Sequence, residues 1–552
     1  MADREQVKAG GSMSKSNALV RNASFLMMAT LISRVIGLLY RSPLNAIIGN
    51  VGLGYYGYAN NVYVILLLIS SYSIPMAVSK VISERLALKQ YRNAQKVFYG
   101  ALIYAAAVGG AAALIAFFMG KYLLPTNQQE ALLALRMLAP TIFLSAILGV
   151  MRGFFQAHST MMPTSISQVL EQIANAIVSV GAAWLLIKSF GTDEKTRAIY
   201  GAAGGTLGTG AGVLAGLLFM GFVYYVNRKV LKRQVANDRH TQEESLGNVM
   251  KIIFLMVTPI IFNTFVYNAS GYLDSKIFSD ILNMKKVAAE TVSSQWGEYS
   301  NSYLTLINIP LALSSATSSA MMPEIASRYI TGHYKKANKK INEGIQLTMF
   351  LCIPAAVGLA VLAFPIVGIL FPKSTKLSGI LLMTGSVTVV FSALSTITNG
   401  VLQAIGQAKL PLRNSAISLV LNVITVAGCS YLFPQIGVFS VLLASLVFAV
   451  CMCVLNALSL RKYLGHKNDF VNGYGKPFLA AAGMGVTAWV VYYGLHLVLP
   501  VRILCLGVAM VCAIIVYLVL YVLITKTTEE QMRKFPMGNY IVKALRMIRV
   551  FR

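Results

Sequence analysis

The feature that most constrains this chain is a series of apolar runs, each long enough to cross a bilayer and each fenced by basic residues. A hydrocarbon core of about 30 Å takes roughly 20 apolar residues in a helix. Val97–Gly120 is free of charge between Lys96 and Lys121, and Ile503–Thr525 is free of charge between Arg502 and Lys526. Asn414–Leu460 is too long for one crossing and carries the turn signal Pro434-Gln435-Ile436-Gly437 near its centre, so it reads as two helices in a hairpin. Extended along the chain, the pattern predicts an all-α integral membrane protein of about fourteen transmembrane helices. They are 23–47, 55–79, 97–119, 130–152, 164–187, 200–226, 250–275, 299–325, 344–371, 377–401, 413–433, 436–460, 477–498 and 502–525.

Composition supports this. Apolar residues make up 56% and charged residues 12% of the 552, against about 25% charged in a soluble domain; the mean hydropathy is +0.66. The net charge of +28 reads as basic cytoplasmic loops beside anionic membrane lipids, not as a nucleic-acid surface. Cys352, Cys429, Cys451, Cys453, Cys505 and Cys512 all fall in apolar stretches without zinc-ligand spacing, so no metal site and no cofactor is expected. Residues Met1–Asn22 contain no apolar h-region, so no cleaved signal peptide is expected.

The basic residues orient the helices. With the amino terminus inside, 34 of the 47 Lys and Arg fall on the cytoplasmic side, ten fall outside, and three, Arg34, Arg41 and Arg136, fall within spans. An error of one helix would scramble this asymmetry, so the bias supports an even count with both termini cytoplasmic. The tail from Thr527 to Arg552 carries Lys543, Arg546, Arg549 and Arg552 among Ile541, Val542, Leu545, Ile548 and Phe551. That pattern suits a short amphipathic helix on the inner leaflet or a plain solvated tail.

The two halves repeat. Ile74-Pro75-Met76-Ala77-Val78-Ser79 recurs as Ile309-Pro310-Leu311-Ala312-Leu313-Ser314; Tyr91, Ala94 and Lys96 recur as Tyr334, Ala337 and Lys339. Gly153, Gln156 and Ala157 recur as Gly400, Gln403 and Ala404, and Asn175 as Asn422, both at an offset of 247. Each match falls at the same place in a unit of six helices, an even number, so both units have the same orientation. Parallel repeats are a known transporter plan, with the substrate site at the repeat interface near the midplane. The organisation expected is a cytoplasmic tail (1–22), a first lobe of six helices (23–226), a cytoplasmic linker (227–249), a second lobe of six (250–460), two further helices (461–525) and a basic cytoplasmic tail (526–552).

Two six-helix halves plus two extra helices resemble the polysaccharide-exporter branch of the multidrug/oligosaccharidyl-lipid/polysaccharide superfamily, a MATE-like plan. Ser33-Arg34-Val35-Ile36-Gly37-Leu38-Leu39-Tyr40-Arg41 resembles the first-helix motif of MurJ-type lipid II flippases, in their Gram-positive form. The Gly-x-x-Gln-Ala block and Pro323-Glu324-Ile325-Ala326 are similar to this branch too, and the likeness covers roughly residues 20 to 525. The resemblance implies a V-shaped pair of lobes around a cationic cavity in a bacterial plasma membrane. Its cargo would be undecaprenyl-pyrophosphate-linked disaccharide pentapeptide, moved from inner to outer leaflet by alternating access. Arg34 matches a cavity arginine of the family by motif, and Arg41 matches a second loosely. The chain departs from the pattern at Ser42, where an acidic residue is usual, and at Thr305, where an arginine is usual.

The intramembrane charges are the candidate site. Counted from the start of its span, Arg34 lies about 16 Å deep, near the midplane, and Arg41 follows two turns later on nearly the same face. An arginine there is tolerated facing water or a partner, and its planar fork suits a pyrophosphate; alternatively Arg34 is held by a structural carboxylate and Arg41 snorkels outward. Arg136 is a third candidate for the cavity lining, or snorkels. Glu171 would pair with Arg34, titrate to couple an ion gradient, or reach cytoplasmic water. Asp274, beside Lys276 at the end of the seventh span, is an outer gate or plain interface.

Other classes fit less well. The five histidines lie far apart, the outer segments are short, and no nucleophile triad, P-loop or Rossmann fingerprint has a supporting context. An enzyme is therefore not expected; with no ATP site, energy comes from an ion gradient, the membrane potential or consumption of product. The runner-up transporters are a flippase for another lipid-linked oligosaccharide, such as a teichoic acid, capsule or spore-wall unit, and a MATE-type cation or drug antiporter. The latter would favour acidic residues where this chain has Arg34. A monomer is the expected state, with no partner enzyme legible.

Overall fold

The computed structural model describes residues 2–158, 160–238, 243–466, 469–533 and 538–547, and among them there is helix and no strand. The helices are α1 (Ala2–Leu67), α2 (Ile74–Ala87), α3 (Tyr91–Leu123), α4 (Leu132–Ala157), α5 (Met162–Phe190), α6 (Glu194–Ala236), α7 (Leu246–Met284), α8 (Ala289–Gly297), α9 (Leu304–Ile330) and α10 (Tyr334–Val361). They continue as α11 (Ala363–Leu370), α12 (Lys376–Gly385), α13 (Val387–Ala404), α14 (Lys409–Leu432), α15 (Phe439–Leu464), α16 (Lys476–Val498), α17 (Arg502–Thr525), α18 (Glu529–Arg533) and α19 (Gly538–Met547).

Twelve described stretches are long and apolar enough to cross a membrane. The first, Met28–Ala87, runs for 60 residues, about 90 Å at 1.5 Å each, and so is more than one crossing. It breaks at Gly49, whose φ of 68° and ψ of 178° no helix contains, and the two arms are separate spans. Helix α7 has an apolar opening, Leu246–Thr258, and its 39 residues are long enough for another. The chain is thus a multi-pass membrane protein on the expected plan. The prolines within the apolar helices divide into two kinds. Pro140, Pro310 and Pro354 lie inside helices. Pro75 and Pro365 lie in the first turns of α2 and α11, where a missing N–H costs nothing.

Contacts divide the chain into two compact units, Met1–Gly297 and Glu298–Arg552. The division falls after α7 and α8, not at the linker. Helix α7 packs on α1, α2 and α3, and the segment before it is pinned to the same unit. There Arg85 grips Glu244 at 3.0 Å, Lys96 reaches Glu243 at 2.6 Å, and the Arg92 backbone N–H donates to Asp238 at 2.7 Å. The Lys96 hydrogen bond holds the exposed Glu243 carboxyl below its usual pKa range.

Within the first unit, α5 and α6 lie backbone to backbone. Gly204, Gly208, Gly212 and Gly216 recur every fourth residue on α6, so they form one stripe, the small-residue interface that lets membrane helices close. A Cβ at Gly204 would stand 2.5 Å from Ala183 N, and one at Gly208 would collide with Ser179. Helix α1 then seats Tyr40, Leu44 and Ile48 against Ala176, Val180, Ala183 and Ile187 of α5. On the other side Phe98, Phe154 and Tyr224 join α3, α4 and α6 in an apolar core with Val78 and Val81 of α2.

In the second unit, α9, α10 and α13 pack together, as do α14 with α15 and α16 with α17. The repeat is visible inside each unit. Gly153 admits Pro75, whose carbonyl would lie 2.7 Å from an added Cβ, and its counterpart Gly400 admits Ser318 at 2.6 Å. The basic tail contains the helix α19, folded on α18 with Val542 and Leu545 buried and Arg546 bonded to Glu529; Ile548, Arg549, Phe551 and Arg552 lie outside the described residues.

The stripe gives a test. Gly208→Val is expected to lower the melting temperature of the detergent-solubilised protein, in line with overpacking penalties of about 1–3 kcal/mol. Gly221→Val, where nothing lies within 4 Å, is expected to leave it unchanged.

Candidate functional site

The site is built where α1 meets α5. The Ser33 hydroxyl donates to the Gln168 carbonyl at 3.4 Å, and Gly37 faces Gln172. With the apolar contacts further along, this is a parallel register with a constant offset. It sets Arg34 level with Gln168–Gln172, and Arg41 level with Ala176, the midpoint of α5. Along α1, Arg34 lies about 10 Å from Arg41, towards the amino-terminal end of the helix.

Around α1, Ser33, Gly37, Tyr40, Leu44 and Ile48 face α5, while Met28, Ile32, Val35 and Leu39 are exposed. Arg34 and Arg41, seven residues apart, share the flank between these faces. Arg41 is half-buried and lies within electrostatic range of Tyr56, whose hydroxyl reaches Tyr40 and Thr209. Arg34 is exposed and has neither ion pair nor hydrogen bond among the described residues. No carboxylate among the described residues holds it.

Glu171 is not its partner. The Glu171 carboxylate takes Arg152 of α4 at 2.7 Å, and Arg152 Nε donates to Ser167 Oγ at 3.0 Å. Ser167 in turn donates to the Thr164 carbonyl at 2.8 Å. Glycines of α6 make the room: a Cβ at Gly212 would stand 2.5 Å from the Glu171 carbonyl, and one at Gly216 3.7 Å from Arg152 Nη2. Sequence reasoning left Arg152 among the cytoplasmic basics. It directly precedes Gly153, and an arginine at the edge of a repeated block was the available signal.

Arg136 stays apart from these groups. It is exposed, with its guanidinium 5.6 Å from the Phe117 ring of α3 and Nε 3.4 Å from the Phe117 carbonyl. Both contacts are to α3, and the long basic side chain lies along that helix. Asp274 is buried where the outer end of α7 docks on α3. Its neighbour Lys276 donates to the Tyr122 and Leu124 carbonyls at 3.3 and 3.2 Å, a cation at a helix carboxyl end. Tyr272 donates to the Leu123 carbonyl at 2.9 Å, and Asp280 accepts from Thr126 N and Oγ1 at 2.9 Å. These contacts are an interface that ties α7 to the α3 end.

Two polar sites in the second unit were not singled out from sequence. Glu298 is 2% exposed and sits at the amino terminus of α12. It accepts from Thr375 Oγ1 at 2.8 Å, Ser378 N at 2.9 Å and Ser378 Oγ at 2.8 Å, a carboxylate where the helix dipole favours one. Asn456 of α15 joins α13 to α14, donating to Asn399 at 2.8 Å and accepting from Asn414 at 2.9 Å. Among the described residues, no three His, Cys, Asp or Glu gather as a metal site would require.

The comparisons with known proteins fit this geometry. The family described as "Polysaccharide biosynthesis protein" matches residues 19–328, which is more than half of the chain. The chain belongs to that family. The MatE family matches residues 259–427. Lipid II flippase MurJ of Bacillus subtilis (strain 168) is 27% identical over 429 residues, 74% of this chain and 76% of that one. Stage V sporulation protein B of the same organism is 23% identical over 465 residues, 81% and 84% of the two chains. A solved structure of lipid II flippase MurJ in an inward closed conformation superposes with a TM-score of 0.64 at 14% identity, covering 90% of this chain and 98% of that one. An inward-facing multidrug resistance MATE transporter of the MOP superfamily gives 0.62 at 16% identity, covering 81% and 98%. The fold is that of the MOP superfamily, and the chain is a flippase or transporter of that group.

Glu298 gives a test here. Glu298→Ala strands three donors, and unsatisfied buried groups cost about 1–3 kcal/mol each. Thermal unfolding in detergent is expected at a clearly lower temperature, with Glu298→Gln falling between that variant and wild type.

Proposed function

We propose that this protein moves a lipid-linked saccharide pyrophosphate from the inner to the outer leaflet of a bacterial plasma membrane, with lipid II as the cargo. The observation that carries this reading is Arg34: a guanidinium on a membrane helix, exposed, with no carboxylate of its own, while the carboxylate at its level is engaged by Arg152. An arginine in hydrocarbon is costly unless it meets water or an anion. A pyrophosphate brings two or more negative charges and oxygens that an arginine fork binds bidentately. Arg41, two turns outward on the same flank, is the next station for that anion on an alternating-access path. Because α1 and α5 share one register, the two guanidiniums stand about 10 Å apart in depth.

The lipid II flippase among the relatives supports this cargo. The sporulation relative favours keeping a spore-wall or related lipid-linked unit as the second reading, because the chemical handle is the same pyrophosphate. A drug antiporter is disfavoured: it needs an available acid, and Glu171 is neutralised by Arg152. Both termini are assigned to the cytoplasm, and the driving force to an ion gradient or the membrane potential.

Complementation of a strain depleted of its lipid II flippase tests this directly. The wild-type gene is expected to restore growth and outer-leaflet lipid II without conferring drug resistance. Arg34→Ala is expected to insert normally and abolish export, with Arg34→Lys retaining only part of it. Full export by Arg34→Ala would overturn the reading.

A further inference from the structure

The internal repeat supplies a comparison that the first unit alone does not. At the offset of 247 that aligns Gly153 with Gly400, Arg152 corresponds to Asn399, Ser167 to Asn414 and Glu171 to Ser418. The same positions lie at polar helix–helix joints in both units, built differently. In the first, Arg152 ties α4 to α5 through Ser167 and Glu171. In the second, Asn399 of α13 and Asn414 of α14 are tied through Asn456 of α15, and the Ser418 hydroxyl donates to the Asn414 carbonyl at 2.9 Å. The groups that cross between helices in the second joint, Asn399, Asn414 and Asn456, are all neutral, and Arg413 reaches Asn414 Oδ1 at 3.1 Å from within α14 itself. Holding these helices together therefore does not require charge. A desolvated ion pair is also a poor way to do it, since well-packed neutral groups in its place are often as stable or more so. The charges in the first unit call for another explanation.

Three features supply one. The pair is not sealed: the Arg152 and Glu171 side chains keep 16% and 22% of their exposure. It stands at the level of Arg34, because Ser33 and Gly37 register on Gln168 and Gln172, which bracket Glu171. And α6 passes the guanidinium at Gly216, where an added Cβ would stand 3.7 Å from Arg152 Nη2.

We propose that Arg152 is a second cargo-binding guanidinium at the level of Arg34, held by Glu171 and exchanged onto the pyrophosphate as the cargo enters from the inner side. The exchange replaces one oxyanion by another on the same fork, so the arginine is never left without a counter-charge. Glu171 turns to the water that its exposed edge already meets. Its return to Arg152 competes with the cargo and weakens the inner site, which favours onward movement to Arg41. Glu171 is on this account a positioning residue that sets how long the cargo stays. The inference rests on the flippase reading, and its test separates the two.

The test measures binding of farnesyl pyrophosphate to the purified full-length protein, with farnesyl monophosphate as control, beside export in the depleted strain. Wild type is expected to prefer the pyrophosphate in an Arg34-dependent way. Glu171→Gln, which frees Arg152, is expected to bind it about tenfold tighter, the scale of one charge-assisted hydrogen bond, and to export more slowly. The triple change Arg152→Asn, Ser167→Asn and Glu171→Ser copies the neutral joint of the second unit. It is expected to keep the wild-type melting temperature but bind about tenfold more weakly. Wild-type binding and export by a stable triple variant would overturn the proposal and leave the pair as a rivet. If the triple variant does not fold, Glu171→Gln alone decides, since binding equal to or weaker than wild type contradicts the exchange. No pyrophosphate preference in wild type would sink the flippase reading together with this one.

Discussion

A charge inside a membrane helix must find water, a counter-ion or a set of hydrogen bonds, and the chain meets that demand differently for each of its charges. Glu298 is enclosed by hydroxyls and a helix amino terminus. Arg136 lies over the Phe117 ring of α3. Lys276 caps the end of α3. Glu171 and Arg152 neutralise each other. Each of these is explained by the fold. Arg34 is the residue the fold does not explain, because it has no such partner among the described residues. The cargo chemistry is argued from that remainder.

The packing makes the remainder meaningful. The glycine stripe of α6 brings α5 so close that α5 becomes a fixed rail, and α1 is registered on it by small and apolar contacts. A slip of one residue would turn Arg34 by about 100° around α1, off the flank it shares with Arg41. The arginine positions therefore follow from glycines and alanines that carry no chemistry of their own. The break at Gly49 lets the second arm return with Tyr56 beside Arg41 and with Tyr63 bonded to Ser145 of α4 at 3.4 Å.

Much of the architecture was legible in the sequence, because hydrocarbon thickness and the fencing by Lys and Arg leave few ways to place the spans. The repeat was legible for a similar reason: Gly153 and Gly400 each admit a neighbouring helix that no larger residue would. What was not legible depends on which helices touch. Arg152 and Glu171 are 19 residues apart on different helices, and only the α4–α5 packing shows that they meet. Glu298 falls just before the predicted span 299–325, and only the start of α12 against it shows what it binds. The unit boundary shifted because Asp238, Glu243 and Glu244, ordinary in a linker by composition, bind the basic loop before α3.

The central claim is that position 34 meets water on the side from which cargo arrives. Cysteine accessibility measures this most directly: Arg34→Cys in a background lacking the six native cysteines, probed with a charged, membrane-impermeant thiol reagent. Labelling from the cytoplasmic face of inverted vesicles, slowed by a lipid pyrophosphate and not by the corresponding monophosphate, is the predicted result. A thiol that neither side can label, as expected of a position facing hydrocarbon, would contradict the account.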